Sequence, residues 1–240
     1  MASKNDLKYH VDLVFCIDCT ESMDNILNIV KSRALHFYDD VQNMMKEKGK
    51  TIDRLRVRVV GFRDYLAYDE EKRKNTHLNE PMLVSDFFEL PKDAGKLEVS
   101  VKSLKPIGGG DDEEDGLEAL AYAIRSDWDK TVDAKRRHVI VLWTDQAPHK
   151  LGAGANASKY PKGMAKDLKE LGAWWGDESV PGFMDQSAKR LILFAPNEGG
   201  WASISDNWNL VVHLPSRAGD HLKDVQYQEI LSYIGQTLTL

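Results

Sequence analysis

Asp18, Thr20 and Ser22, in the stretch VDLVFCIDCTES (residues 11–22), put one carboxylate and two hydroxyls at alternate positions directly after an apolar run. Two more polar corners follow far along the chain. Asp111 to Glu114 lie in GGGDDEEDG (108–116), and Asp145 closes HVIVLWTD (138–145). The carboxylates and hydroxyls singled out at these corners make an all-oxygen donor set, which suits a hard divalent cation, Mg2+ first, with Mn2+ or Ca2+ as alternatives.

Those corners require elements that bring them to one place. Val11, Leu13, Val14, Phe15, Cys16 and Ile17 form a near-continuous β-favouring run, the pattern of a central parallel strand buried on both faces. From Met23 to about Glu47 the spacing of Ile26, Leu27, Val30, Ala34, Phe37, Val41 and Met44 becomes helical. LRVRVVGF (55–62), HVIVLW (138–143), RLILFA (190–195) and NLVVHL (209–214) read as further strands, with Met82 to Phe88 as a short edge strand. Helical spacing recurs in 93–104, from Leu117 to about Ser126, in 161–174 and in 222–238. Tyr68 to Asn79 and Gln146 to Tyr160 read as surface loops, and Arg63-Asp64-Tyr65 falls at the ligand-facing end of a strand, where Asp64 reads as solvated charge before an acceptor that orients a ligand.

The alternation predicts an α/β fold, with a doubly wound, mostly parallel central sheet flanked by helices. In such sheets ligands bind beyond the carboxyl ends of the strands, where all three corners would open. The expected organisation is an N-terminal extension over 1–9 and a single domain over 10–240. The 240 residues, 42% of them hydrophobic, suffice for one sizeable core.

A formal charge of −6 gives no broad basic footprint for nucleic acid or an anionic membrane. Cys16 and Cys19 are placed as reduced packing residues, because the strand encloses the first of them. The start of the chain has no apolar signal core, and no run approaches a membrane span, so a cytoplasmic protein is expected. His149 lies close enough to the third corner for a hydrogen-bonding role. His10, His36, His77, His138, His213 and His221 share no metal spacing. Trp174, Trp175, Trp201 and Trp208 read as packing residues before partner anchors.

Taken with their order, the corners resemble a family. DCTES resembles the DxSxS motif of von Willebrand factor type A domains, with Thr20 in place of the commoner serine, and WTDQAPH (143–149) resembles their fourth-strand Thr-Asp motif. GGGDDEEDGLEAL resembles the GGGDxPE variant of bacterial stand-alone domains and of domains attached to alpha-kinases, and the acidic loop of integrin β-subunit domains. Glu113 stands where proline is usual. The resemblance spans roughly residues 10 to 215.

It implies a Rossmann-like fold carrying a metal-ion-dependent adhesion site. Thr20 and Ser22 would ligate Mg2+, Asp18 and Asp145 would bind directly or through water, and Glu114 or Asp111 would supply the middle ligand. The implied partner is a protein offering an acidic residue, in bacteria often beside a kinase, a phosphatase or a stress-response complex.

Two other readings compete. A haloacid dehalogenase-like phosphotransferase also carries an aspartate after its first strand, but needs a second acid where Thr20 stands. A GxxxxGK[ST] phosphate loop is missing as well, so no enzyme is expected. The last alternative is a structural subunit whose site holds no ion.

Overall fold

Residues 8–74, 80–107, 113–219, 222 and 225–239 are described by the computed structural model. The strands are β1 (Lys8–Asp18), β2 (Arg54–Phe62), β3 (Met82–Val84), β4 (Phe88–Leu90), β5 (Ala134–Trp143), β6 (Lys189–Pro196) and β7 (Val211–Ser216). They form a seven-stranded sheet in the order β3-β2-β1-β5-β6-β7, with β4 also paired to β2. β2, β1, β5, β6 and β7 run parallel, while β3 and β4 pair antiparallel at the β2 edge. The stretch expected as one edge strand is thus two short ones.

Helices cover both faces, as a sheet buried on both sides requires. They are α1 (Asp24–Arg33), α2 (Phe37–Glu47), α3 (Tyr65–Arg73), α4 (Ala94–Ser103), α5 (Gly116–Ile124), α6 (Leu168–Trp175), α7 (Gly199–Asn207) and α8 (Tyr227–Thr239). Along β1, Val11, Leu13, Phe15 and Ile17 join the core shared with α1, α2, α4 and α8. Val14 and Cys16 point the other way, into the core shared with α5, α6 and α7. The side-chain period of two is therefore met by apolar packing on both faces. Both cysteines are free and buried. Among the described residues no helix is long and apolar enough to cross a membrane.

Three elements differ from the sequence expectation. The helix expected over 23–47 is a 3-10 turn (Glu21–Met23) followed by α1 and α2, because the chain tightens at His36, whose N–H bonds Arg33 O (3.0 Å). The apolar positions keep their spacing across that break, so periodicity does not register it. Much of the expected charged loop over 68–79 is the helix α3, started by Asp64, whose Oδ1 accepts from Leu66 N (2.5 Å), and anchored by buried Tyr65 and Tyr68. The third is α7, on a stretch with no periodic signal.

The register sets the site. Ile17 pairs with Trp143 and Asp18 with Phe62, so Asp18, Thr144 and Arg63 emerge together at the carboxyl rim of three adjacent parallel strands.

Candidate metal centre

Asp18 is the last residue of β1 and is fully buried. Its Oδ1 accepts from Thr20 N (2.9 Å) and Thr20 Oγ1 (2.7 Å), and its Oδ2 from Thr144 Oγ1 (2.8 Å). All these donors are neutral. Burial pushes the Asp18 carboxyl up to about 6, the hydrogen bonds from Thr20 and Thr144 pull against that rise, and the Asp145 charge adds to it. Thr20 Oγ1 lies 3.2 Å from Ser22 Oγ, which donates to Asp145 Oδ1 (2.8 Å). Asp18, Thr20, Ser22 and Asp145 are thus linked in one hydrogen-bonded set drawn from two strand ends. Asp145 is fully buried, whereas Ser22 is partly exposed and opens the set to solvent.

Glu114 reaches this rim through its backbone. Its N–H bonds Ala147 O (3.2 Å), its carbonyl accepts from His149 N (2.9 Å), and it forms a parallel bridge with Pro148. The middle corner is therefore laced to the segment that follows Asp145, with Glu114 buried and Glu113 exposed. Asp111 and Gly108-Gly109-Gly110 lie outside the described residues.

Several neighbours are more deeply involved than their sequence context suggests. Asp64, expected as solvated charge, is 3% exposed. Asp115, which the sequence does not mark as part of the set, is fully buried; its Oδ2 accepts from Tyr65 N (2.6 Å), and its Oδ1 lies 3.1 Å from His149 Nδ1. The expected hydrogen-bonding role of His149 is the observed one. Candidate ligand atoms of Asp64, Asp115 and His149 lie within 4.8 Å of one another. Both carboxylates already accept main-chain N–H groups, so this trio braces the loops behind the rim. Thr144 is the residue that the sequence reading left out of the ligand set although it holds Asp18 directly. Its signal was its place between the last apolar residue of β5 and Asp145.

The middle corner is also fixed from behind. A Cβ at Gly116 would lie 2.6 Å from Trp201 Cζ2 and 3.3 Å from Phe62 Cε2, so only glycine lets α5 start this close. Trp201, fully buried on α7, donates from Nε1 to Gln146 O (3.1 Å), which joins the start of α5 to the third corner.

The donor set fits a divalent cation. Two buried carboxylates and two hydroxyls converge, and the Thr20 and Ser22 hydroxyls, which donate to Asp18 and Asp145, keep lone pairs for an ion. A fully buried carboxylate held only by neutral donors is costly without a counter-charge, which an ion at this rim would supply.

Comparison with known proteins agrees with the fold. The sequence matches the integrin beta chain VWA domain over residues 6–162, more than half of the chain and inclusive of all three corners. Among curated proteins none matches the sequence. The PilB minor pilin from Streptococcus sanguinis superposes with a TM-score of 0.51 at 14% identity, covering 96% of this chain and 62% of that one. The pilus adhesin SpaC from Lactobacillus rhamnosus GG gives a TM-score of 0.49 at 13% identity, over 97% of this chain and 31% of that one. The chain thus spans less than two thirds of either structure. With a mostly parallel sheet in this order and the family model matched over more than half of its length, the chain belongs to the integrin beta chain VWA domain family.

Proposed function

We propose that the chain is a metal-ion-dependent protein-binding module, in which Mg2+ at the carboxyl rim of β1 and β5 takes a carboxylate from a partner protein as its last ligand. Asp18, Thr20, Ser22 and Asp145 would hold the ion, with Glu114 as the middle-loop ligand and Asp111 as its alternative. The observation that carries this reading is the buried Asp18 carboxylate, bonded only to neutral groups and standing beside a second carboxylate, Asp145, which accepts from the hydroxyl of the partly exposed Ser22. Family membership supports it, since VWA domains of the integrin beta type generally bind divalent cations and protein ligands. An ion held largely by hydroxyls keeps much of its charge, so an incoming carboxylate can complete its shell. Mn2+ and Ca2+ are the other candidates.

A phosphotransferase reading is not favoured. The position that would need a second acid is Thr20, whose hydroxyl donates to Asp18 rather than standing ready to accept a proton from a substrate.

The test pairs metal binding with partner binding. Wild-type protein is expected to bind Mn2+ in a titration read by electron paramagnetic resonance, and to capture an acidic partner from its native source in Mg2+ but not in EDTA. Asp18→Ala should lose both behaviours while keeping its circular dichroism spectrum. Capture that survives EDTA and Asp18→Ala alike overturns the proposal.

A further inference from the structure

Arg63 follows β2 immediately and is 4% exposed, yet nothing in the ligand set requires it. Its guanidinium is spent on main-chain carbonyls. Nε donates to Cys19 O (3.1 Å) and Ile107 O (2.9 Å), Nη1 to Glu80 O (2.8 Å) and Nη2 to Lys105 O (2.6 Å). The backbone of the same residue adds two bonds. Its N–H reaches Pro81 O (2.8 Å), and its carbonyl accepts from Asp115 N (3.3 Å).

These partners belong to separate corners. Cys19 sits between Asp18 and Thr20, and its carbonyl also accepts from Ile107 N (3.1 Å). Lys105 and Ile107 lead into the middle loop, while Asp115 follows Glu114 on its far side. One residue is therefore bonded to the first corner and to both flanks of the middle one.

We infer that Arg63 is a positioning residue for the cation site, which sets the spacing between the first corner and Glu114. The inference rests on reading those corners as a cation site. Burying a guanidinium is expensive, and here its donors satisfy main-chain carbonyls that an apolar side chain would leave without them. What an apolar residue cannot do is bind four carbonyls in different directions at once. Lysine carries its three donors on a single nitrogen and lacks the planar fork, so it would hold fewer of them. Groups that orient metal ligands without touching the metal typically change affinity by about 10–100-fold when removed.

The test is Mn2+ affinity, measured well below the melting temperature of each variant, for Arg63→Lys, Arg63→Met, Asp18→Ala and Arg56→Lys. Arg56 lies on β2 toward the opposite rim, so its variant controls for lost stability. Expected are a loss of at least about tenfold for Arg63→Met, an intermediate loss for Arg63→Lys and no change for Arg56→Lys. If Arg63→Met does not fold, Arg63→Lys decides alone. Wild-type affinity in the Arg63 variants, with binding lost in Asp18→Ala, overturns the positioning role and leaves the site standing. An equal affinity loss in Arg56→Lys also overturns it, as an effect of stability. Wild-type affinity in Asp18→Ala instead removes the site itself, and the role of Arg63 with it.

Discussion

Asp12 and Asp18 stand on the same strand, β1, and both are buried, but the two ends of the strand treat them differently. At Asp12 the protein brings its own cation. Arg56 donates from Nε to Oδ1 (2.7 Å) and from Nη2 to Oδ2 (2.5 Å), while Asp129 N adds a bond at 2.7 Å. Asp129 is compensated in turn. Burial raises its carboxyl, but hydrogen bonds from Thr131 and His10 outweigh that and hold it well below the usual range. Asp18, at the other end, receives only hydroxyls and an amide, and burial leaves its carboxyl raised to about 6. One rim is electrostatically closed, and under the proposed function the other would be finished by an ion from outside. A buried carboxylate is thus a structural or a functional group according to who supplies its counter-charge.

The sharpest way to break this comparison is to remove the internal cation. Arg56→Met should cost about 3–5 kcal/mol in urea denaturation, because it strands Asp12 in the interior. Asp18→Asn should show no such loss.

The pH dependence is the next largest effect. Since the folded-state pKa of Asp18 lies above its unfolded value of 3.8, the folded protein binds the proton more tightly. Stability from this group is fully present below pH 3.8 and is lost as pH rises through about 6. In EDTA, wild type should therefore lose about 1.4 kcal/mol relative to Asp18→Asn between pH 5 and pH 7.5, of about 3 kcal/mol over the whole transition from below pH 3. Mg2+ at about 100 times its dissociation constant should restore about 2.7 kcal/mol to wild type at pH 7.5 and nothing to Asp18→Asn. That gain should fade below pH 6, as the proton displaces the ion. A flat difference between the two proteins across this range, with or without Mg2+, would place Asp18 with Asp12 as a compensated group.

The smallest effect is expected from Thr20→Ser, which keeps the hydroxyl on Asp18 and loses one buried methyl. Isothermal titration should find Mg2+ affinity within about threefold of wild type, with a stability cost of about 1 kcal/mol. A larger drop in affinity would mean that the methyl group, and not only the oxygen, shapes the rim.

Much of this rim was legible in the sequence because its parts are local. Asp18, Thr20 and Ser22 lie within five residues at the end of an apolar run, Asp145 ends another, and parallel pairing of β1 with β5 carries both to one rim. Glu114 was legible as an acidic corner before the apolar face of α5. Arg63, Asp64 and Asp115 were not, since a charge after a strand looks the same whether water or another loop covers it. Here the cover comes from Glu80, Pro81, Lys105 and Ile107, which meet Arg63 only in the folded chain. Likewise α7 escapes a pattern reading, because Gly199-Gly200 looks like loop chemistry and the helix holds its place mainly through Trp201 and Ile204.

Trp201 also bears on where this chain can be divided. The family match ends at residue 162, yet the ring that packs on Gly116 and bonds Gln146 is supplied from well beyond that point, as is β6, the neighbour of β5. A fragment cut at 162 would keep every ligand candidate and still expose the edge of β5, with the start of α5 no longer wedged against the third corner. The inherited motif and the smallest self-sufficient folding unit are different lengths of this polypeptide.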